Sequence, residues 1–306
     1  MRLGVSLRTA YEPGDVRDLA SSIIERTRAA RDAGLDSLFV GDHHATGPFP
    51  YFQNVPLMGR LLGEWPDAPV AGVLMLLPLW QPVPAAEQLG TLASLANGPF
   101  VLQCALGGGE HQFAAMGVPL RERVARCEQG LGIIRRLLAG EKVTETEGPY
   151  QVEEARIAPI PEQPVEVWIG ASAPKAIERA ARLGDGWLAD AGVVPDDAAA
   201  QADRYRAACA ALGREPGVIA IRRDVHVGTD TVDAERIAGP IVAGGYRGFR
   251  PEACTYGGPD EVSDTLRQYA AMGYTDVIVR HLANDQTEVL GSLERLASVS
   301  TALAER

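Results

Sequence analysis

The residue types best suited to chemistry in this chain fall in three short segments. Gly41-Asp42-His43-His44 places two of the five histidines beside a carboxylate. Imidazole moves protons near neutral pH, and Asp42 beside the pair would orient a ring or raise its pKa. Leu106-Gly107-Gly108-Gly109-Glu110-His111 joins consecutive glycines to an acid and another histidine. Glycines permit positive φ and close backbone approach to a flat or anionic ligand, a use expected of Gly107 and Gly108. Gly170-Ala171-Ser172-Ala173-Pro174 offers backbone N–H groups and a hydroxyl just before a helix that opens on proline. Such a turn cradles phosphate, although Ser172 would equally serve as a simple helix cap.

Several chemistries are excluded by what is missing. No Gly-Lys-Ser/Thr follows the glycines, so the loop of nucleotide triphosphatases is absent. No Gly-x-Ser-x-Gly elbow occurs, which removes an esterase-type hydrolase. There is no H-E-x-x-H, and Cys104, Cys127, Cys209 and Cys254 lack C-x-x-C or finger-like spacing, so no metal is expected. Reduced, separate thiols fit a cytoplasmic protein, with Cys104 read as core. Arg222, Arg223, Asp224 and His226 interrupt an apolar run, where an unpaired charge would be costly. An internal pair of Asp224 with Arg222 or Arg223 is expected there. Arg280 ends another strand, where it would meet phosphate or an acidic substrate group. Phe49, Tyr51, Phe52 and Trp80 lie in loops and would wall a pocket for a ring-shaped ligand.

Bringing such loops together requires a scaffold that collects strand ends. Over 306 residues, short apolar runs alternate with amphipathic stretches. Strands are expected at 2–7, 36–41, 70–77, 100–106, 165–169, 186–189, 218–227 and 275–280. Helices fall at 16–33, 55–62, 85–96, 121–138, 174–183, 196–212, 231–243, 259–272 and 287–303. Residues 141–157, with Gly148-Pro149, read as a short hairpin inserted after the fourth helix. Strands joined by crossover helices are parallel and buried on both faces, and eight such units close into an α/β (β/α)8 TIM barrel. A doubly wound sheet would want Gly-x-Gly-x-x-Gly after its first strand, and none is present. No linker interrupts the pattern, so residues 1–306 read as one domain. The composition, 46% apolar and 23% charged, is that of a globular chain. A net charge of −11 argues against a nucleic-acid partner. The longest apolar run, 69–80, is broken by Gly72 and Pro78 and falls short of the ~20 residues that span a bilayer, so no membrane partner is expected.

Taken in order, these segments resemble the luciferase-like monooxygenases and their flavin- or deazaflavin-dependent relatives. The resemblance rests on the run from Ala33 to His44, on Ala86-Glu87-Gln88 and Thr91-Leu92, and on Gly107 to Gly117 with Arg123, Glu128 and Gly140-Glu141. Pro159-Ile160-Pro161, Val167-Trp168-Ile169-Gly170 and Gly184-Asp185-Gly186-Trp187 continue it. The family implies a luciferase-like barrel that holds a reduced flavin-type ring at the carboxyl ends of its strands. By that resemblance His43 serves the reacting centre, and Gly170, Ala171 and Ser172 receive the cofactor phosphate. Gly72-Val73 falls where relatives carry a bulge, sometimes with a non-proline cis peptide. Glu110 is similar to an acid that assists protonation in some deazaflavin enzymes. Gly98-Pro99 stands where many relatives have Gly-Arg, and Ala105 aligns with the luciferase reactive cysteine, so bioluminescence is not implied. Ala45-Thr46-Gly47-Pro48 replaces the tryptophan that follows the strand-two histidine in deazaflavin sugar-phosphate dehydrogenases. The resulting expectation is reduced FMN, supplied by a separate flavin reductase, reacting with O2 and a small organic substrate in a bacterial homodimer. Hydride transfer with coenzyme F420, without O2, is the alternative. A non-catalytic flavin-binding protein, and an acid–base lyase or isomerase using Asp42 and His43, are others.

Overall fold

The short apolar runs become strands and the amphipathic stretches helices in this computed structural model, which describes residues 1–305. The chain begins β1 (Arg2–Leu7), α1 (Val16–Asp32), β2 (Ser37–Val40), α2 (Asn54–Leu62), β3 (Ala71–Leu76), α3 (Pro82–Leu95) and β4 (Phe100–Ala105). It continues α4 (Glu110–Ala115), α5 (Arg123–Leu138), β5 (Val143–Glu145), β6 (Val152–Ala155), β7 (Glu166–Gly170), α6 (Pro174–Leu183) and β8 (Gly186–Ala189). It ends α7 (Pro195–Ala211), β9 (Val218–Val227), α8 (Thr231–Ala243), β10 (Cys254–Gly257), α9 (Pro259–Ala271), β11 (Asp276–His281) and α10 (Gln286–Ala304).

The main sheet runs β10-β9-β11-β1-β2-β3-β4-β7-β8, and β8 pairs back onto β9. Eight strands therefore close on themselves as a (β/α)8 barrel, the ring being completed where β8 pairs back onto β9. β5 and β6 form a separate antiparallel hairpin, as the 141–157 segment predicts. Two features differ from the sequence reading. β10 is an extra parallel strand on β9, with Cys254 opposite Asp224. α4 is a six-residue helix that takes Glu110 and His111 out of the expected loop.

By contact the chain divides into two units. One comprises Met1–Arg8, Arg17–Phe39 and the residues from Trp168 onward; the other comprises Thr9–Val16 and Val40–Val167. In the first, Trp187 stacks on Tyr205 at 5.4 Å and donates its indole N–H to Ala171 O at 2.7 Å. Gly217 is required where it stands, because a Cβ there would lie 1.8 Å from the backbone oxygen of Asp185. Arg223 is wholly buried beneath the sheet and donates to the carbonyls of Val193 (2.7 Å), Ala191 and Glu252, and to Ala253. In the second unit, Gln129 clamps the hairpin by exchanging hydrogen bonds with the backbone of Tyr150, whose hydroxyl donates to Trp80 O at 2.8 Å.

The first unit also buries two histidines in neutral form. Burial, with Arg26 and His226 nearby, pushes His281 down to about 3, and burial lowers His226 as well. In the unfolded chain such rings titrate near 6.5, so between about 3 and 6.5 the unfolded state binds more protons. Stability is therefore full above about 6.5 and is lost as pH falls toward 3. Thermal melts from pH 7 to pH 4 are expected to show Tm falling steadily. His281→Asn should make that fall shallower; an unchanged slope would show that His281 does not titrate this way.

Candidate active site

The loop after β2 and the start of α4 meet in the second unit. Asp42 is buried at 3% exposure and spends one carboxylate oxygen, Oδ2, on two donors: Leu76 N and Trp80 Nε1, each at 2.8 Å. Its Oδ1 lies 3.2 Å from His44 Nε2, so of the two imidazoles it is the His44 ring that Asp42 faces. The His44 ring also meets the Trp80 ring edge-on at 5.6 Å. Asp42 thus ties β2 to the end of β3 and to the loop beyond.

His43 points elsewhere and is exposed. Gln112 decides its state. The backbone N–H of His44 donates to Gln112 Oε1 at 2.8 Å, which fixes that atom as the oxygen of the amide. His43 Nδ1 lies 3.1 Å from the same oxygen and must carry a hydrogen to bond it. The neutral ring then keeps its lone pair on Nε2. Tyr51 packs edge-on against the His43 ring at 5.6 Å, and Gln53 Nε2 donates to His43 O at 3.0 Å. An imidazole with Nδ1–H anchored and Nε2 free is arranged to accept a proton.

Glu110 stands exposed in the first turn of α4 and makes no hydrogen bond or ion pair among the described residues. It lines a shallow groove with Phe113, Val118 and Leu120, and nothing links it to His43 or Asp42. Of the three glycines, only Gly107 adopts positive φ, +65°, and a Cβ there would press to 3.3 Å on Phe113. A Cβ on Gly108 would stop 3.7 Å from Arg123, an ordinary contact. Gly72 and Val73 pair in unbroken parallel register with Val101 and Leu102. The expected bulge and cis peptide are therefore not at Gly72-Val73. The cis bonds are Gly47–Pro48 and Ala158–Pro159, and β3 leaves regular geometry at Leu76 (φ −74°, ψ 76°) as it enters a short 3-10 turn.

In the first unit, Gly170 ends β7, and Ala171 and Ser172 follow it. The N–H of Ala171 is spent on Leu188 O at 3.2 Å, so it is not part of a cradle. Ser172 is exposed and does not cap α6, whose N-cap is Ala173. The Ser172 hydroxyl and the N–H groups of Ser172 and Ala173, before a ten-residue helix, are the donors left for an anion. This donor set fits a phosphate.

Asp224, also wholly buried, pairs with Arg222 Nε at 3.1 Å and accepts from Tyr246 Oη at 2.8 Å. The pair the sequence left open is thus Arg222–Asp224, since period two puts Arg223 on the opposite face. Gln112 and Tyr246 were not anticipated. Gln112 carries no signal in one sequence, because an amide two residues after Glu110 is ordinary on a helix.

The comparisons agree with this architecture. The model of the luciferase-like monooxygenases matches residues 1–253, and the chain belongs to that family. An F420-dependent glucose-6-phosphate dehydrogenase of Beutenbergia cavernae is 27% identical, over 93% of this chain and 94% of that protein. An F420-dependent secondary alcohol dehydrogenase, solved with an F420-acetone adduct, superposes with a TM-score of 0.81 at 17% identity, covering 99% of this chain and 98% of that one. The oxygenating constituent of 3,6-diketocamphane monooxygenase from Pseudomonas putida, solved with FMN, also reaches 0.81 at 16% identity, with 99% of both chains covered. Oxidoreductases of the family thus include F420- and flavin-dependent members on one fold. Among the described residues no helix is long and apolar enough to cross a membrane.

Proposed function

We propose that this protein is an F420-dependent oxidoreductase that withdraws hydride from a small organic alcohol, in place of the FMN-and-O2 reading that the sequence favoured. The observation that carries it is the His43–Gln112 contact, which leaves Nε2 as an exposed base. The 27% identical relative, aligned over nearly the whole chain, supports the choice of cofactor, whereas the FMN-bound neighbour at 16% identity speaks for the fold alone.

When bound, the deazaflavin supplies a two-electron hydride acceptor that does not need O2. The chain's residues do the proton work. His43 Nε2 takes the hydroxyl proton as the C–H electron pair leaves with its hydrogen as hydride, giving a carbonyl product. Gln112 holds the ring in the tautomer that makes Nε2 the base, and Asp42 holds the β2 and β3 ends that carry it. The donors at Ser172 and Ala173 are assigned to the coenzyme's phosphate, and Glu110, which lines its own groove, is given no part in the step. Gly107 and Gly108 give the backbone room to approach the ring, and Gly72 and Val73 support the strand beneath it.

An anaerobic screen of alcohols against oxidised F420, followed by loss of the coenzyme's visible absorbance, tests this reading. Turnover without O2 is expected. O2 consumption dependent on reduced FMN, with no F420 reduction, would restore the monooxygenase reading. Gln112→Leu is expected to lower kcat about 10-fold with little change in KM, because it removes the acceptor that orients the His43 ring and receives the His44 N–H. Gln112→Glu should recover most of that loss; failure to recover would mean that Gln112 acts otherwise.

A further inference from the structure

The polar cluster on β9 and β11 carries more positive charge than the fold itself uses. Asp224 accepts from Arg222 and Tyr246 and lies 3.5 Å from Arg247 Nη1. Parallel register places Arg280 directly opposite Asp224 on the neighbouring strand. Arg280 nevertheless forms no hydrogen bond or ion pair among the described residues, and its Nε is sealed from solvent. Burial and the neighbouring Arg222 push its pKa down to about 10, so it remains a cation at neutral pH. Arg223 contributes nothing here, because its guanidinium is taken by backbone carbonyls on the other face. Burial and Asp224 together raise Tyr246, which stays a neutral donor. Three guanidinium groups therefore surround one carboxylate, and two positive charges have no counterpart.

Arg247 reaches this cluster at a conformational cost. Its φ of +52° lies between the positive-φ glycines Gly245 and Gly248, in a region uncommon for a side-chain-bearing residue. That backbone carries its guanidinium across the Phe249 ring, 5.1 Å from the centroid, to Asp224. The net charge of −11 means that the whole-chain field does not attract anions, so the positive potential is local to this cluster.

We infer that Arg222, Arg247 and Arg280 form a binding site for a doubly charged oxyanion of the phosphate type, with Asp224 and Tyr246 fixing the arginines in place. Planar guanidinium forks suit phosphate oxygens, and two surplus charges match a dianion better than a single carboxylate. The site differs from the Ser172–Ala173 turn, whose donors are the Ser172 hydroxyl and backbone N–H groups rather than guanidinium forks. The source assigned is a phosphate monoester on the organic substrate; that assignment rests on the hydride-transfer reading, whereas the site itself does not.

Calorimetric titration with inorganic phosphate tests it on the intact protein. Saturable binding is expected, weakened at least 10-fold in Arg280→Gln and in Arg247→Gln. Phosphate should raise Tm of the wild type and leave both variants unmoved. In phosphate-free buffer Arg280→Gln should melt no lower than wild type, since it removes an unpartnered buried charge. F420 affinity should be unchanged in both variants. Absence of phosphate binding to the wild type would overturn the site, as would equal binding to the variants. Loss of F420 affinity in the variants would overturn the substrate as the source and give the anion to the coenzyme. Arginine-dependent phosphate binding with no F420 binding at all would sink the hydride-transfer reading and the substrate assignment while upholding the site.

Discussion

His43→Ala is expected to lower kcat for F420 reduction about 10²–10⁴-fold, the usual contribution of a positioned general base. Affinity for F420 should hardly move, because His43 Nδ1 and the ring contacts engage Gln112 and Tyr51 rather than the fold's core. The split between rate and binding is the informative part. A ring that merely packed would cost affinity or stability and leave the chemical step alone. Stopped-flow reduction with saturating coenzyme and alcohol measures the step directly, and partial rescue by added imidazole would identify the lost function as proton acceptance. Unchanged single-turnover rates in His43→Ala would remove His43 from the reaction.

Asp42→Ala should be the most damaging single change to the architecture around the site. The Leu76 N–H and the Trp80 indole N–H would both lose their acceptor, and the Asp42 side chain is inaccessible to water. Each buried donor left unpaired costs about 1–3 kcal/mol, so the loss from the two is expected at roughly 2–6 kcal/mol. Urea unfolding reads this as a shift of midpoint at constant slope. Asp42→Asn keeps an oxygen for those donors and turns an N–H toward His44 Nε2, so its loss should be under half as large. Equal losses in the two variants would show that charge, rather than the acceptor oxygen, is what the loop requires.

Much of the fold was legible because parallel barrel strands announce themselves. Runs such as 70–77 and 277–279 are apolar on both faces, and each is followed by a helix-period stretch. What the sequence could not show were pieces too short for periodicity to register. β10, four residues ending in Gly257, and α4, six residues, span no more than two repeats of their patterns, and neither carries a continuous apolar run to mark it. The site was legible in location more than in wiring. Adjacency in sequence leaves open which of the two histidines Asp42 faces. Successive residues at a strand end diverge, and the structure gives Asp42 to His44 and Trp80, and His43 to Gln112. The Gly72-Val73 expectation came from resemblance alone, and the departure from strand geometry sits at Leu76, at the carboxyl end of β3. Arg222 could have been preferred over Arg223 from sequence, since alternate residues of a strand share a face with Asp224.

The histidines and glycines grouped at the strand ends of this acidic chain are proposed to serve a deazaflavin. Fluorescence titration of the purified protein with oxidised F420, and separately with FMN, tests that assignment most directly. The account predicts saturable F420 binding below about 100 μM, corresponding to more than roughly 5.5 kcal/mol, with FMN at least 10-fold weaker. FMN binding more tightly than F420, or neither binding in that range, would contradict it.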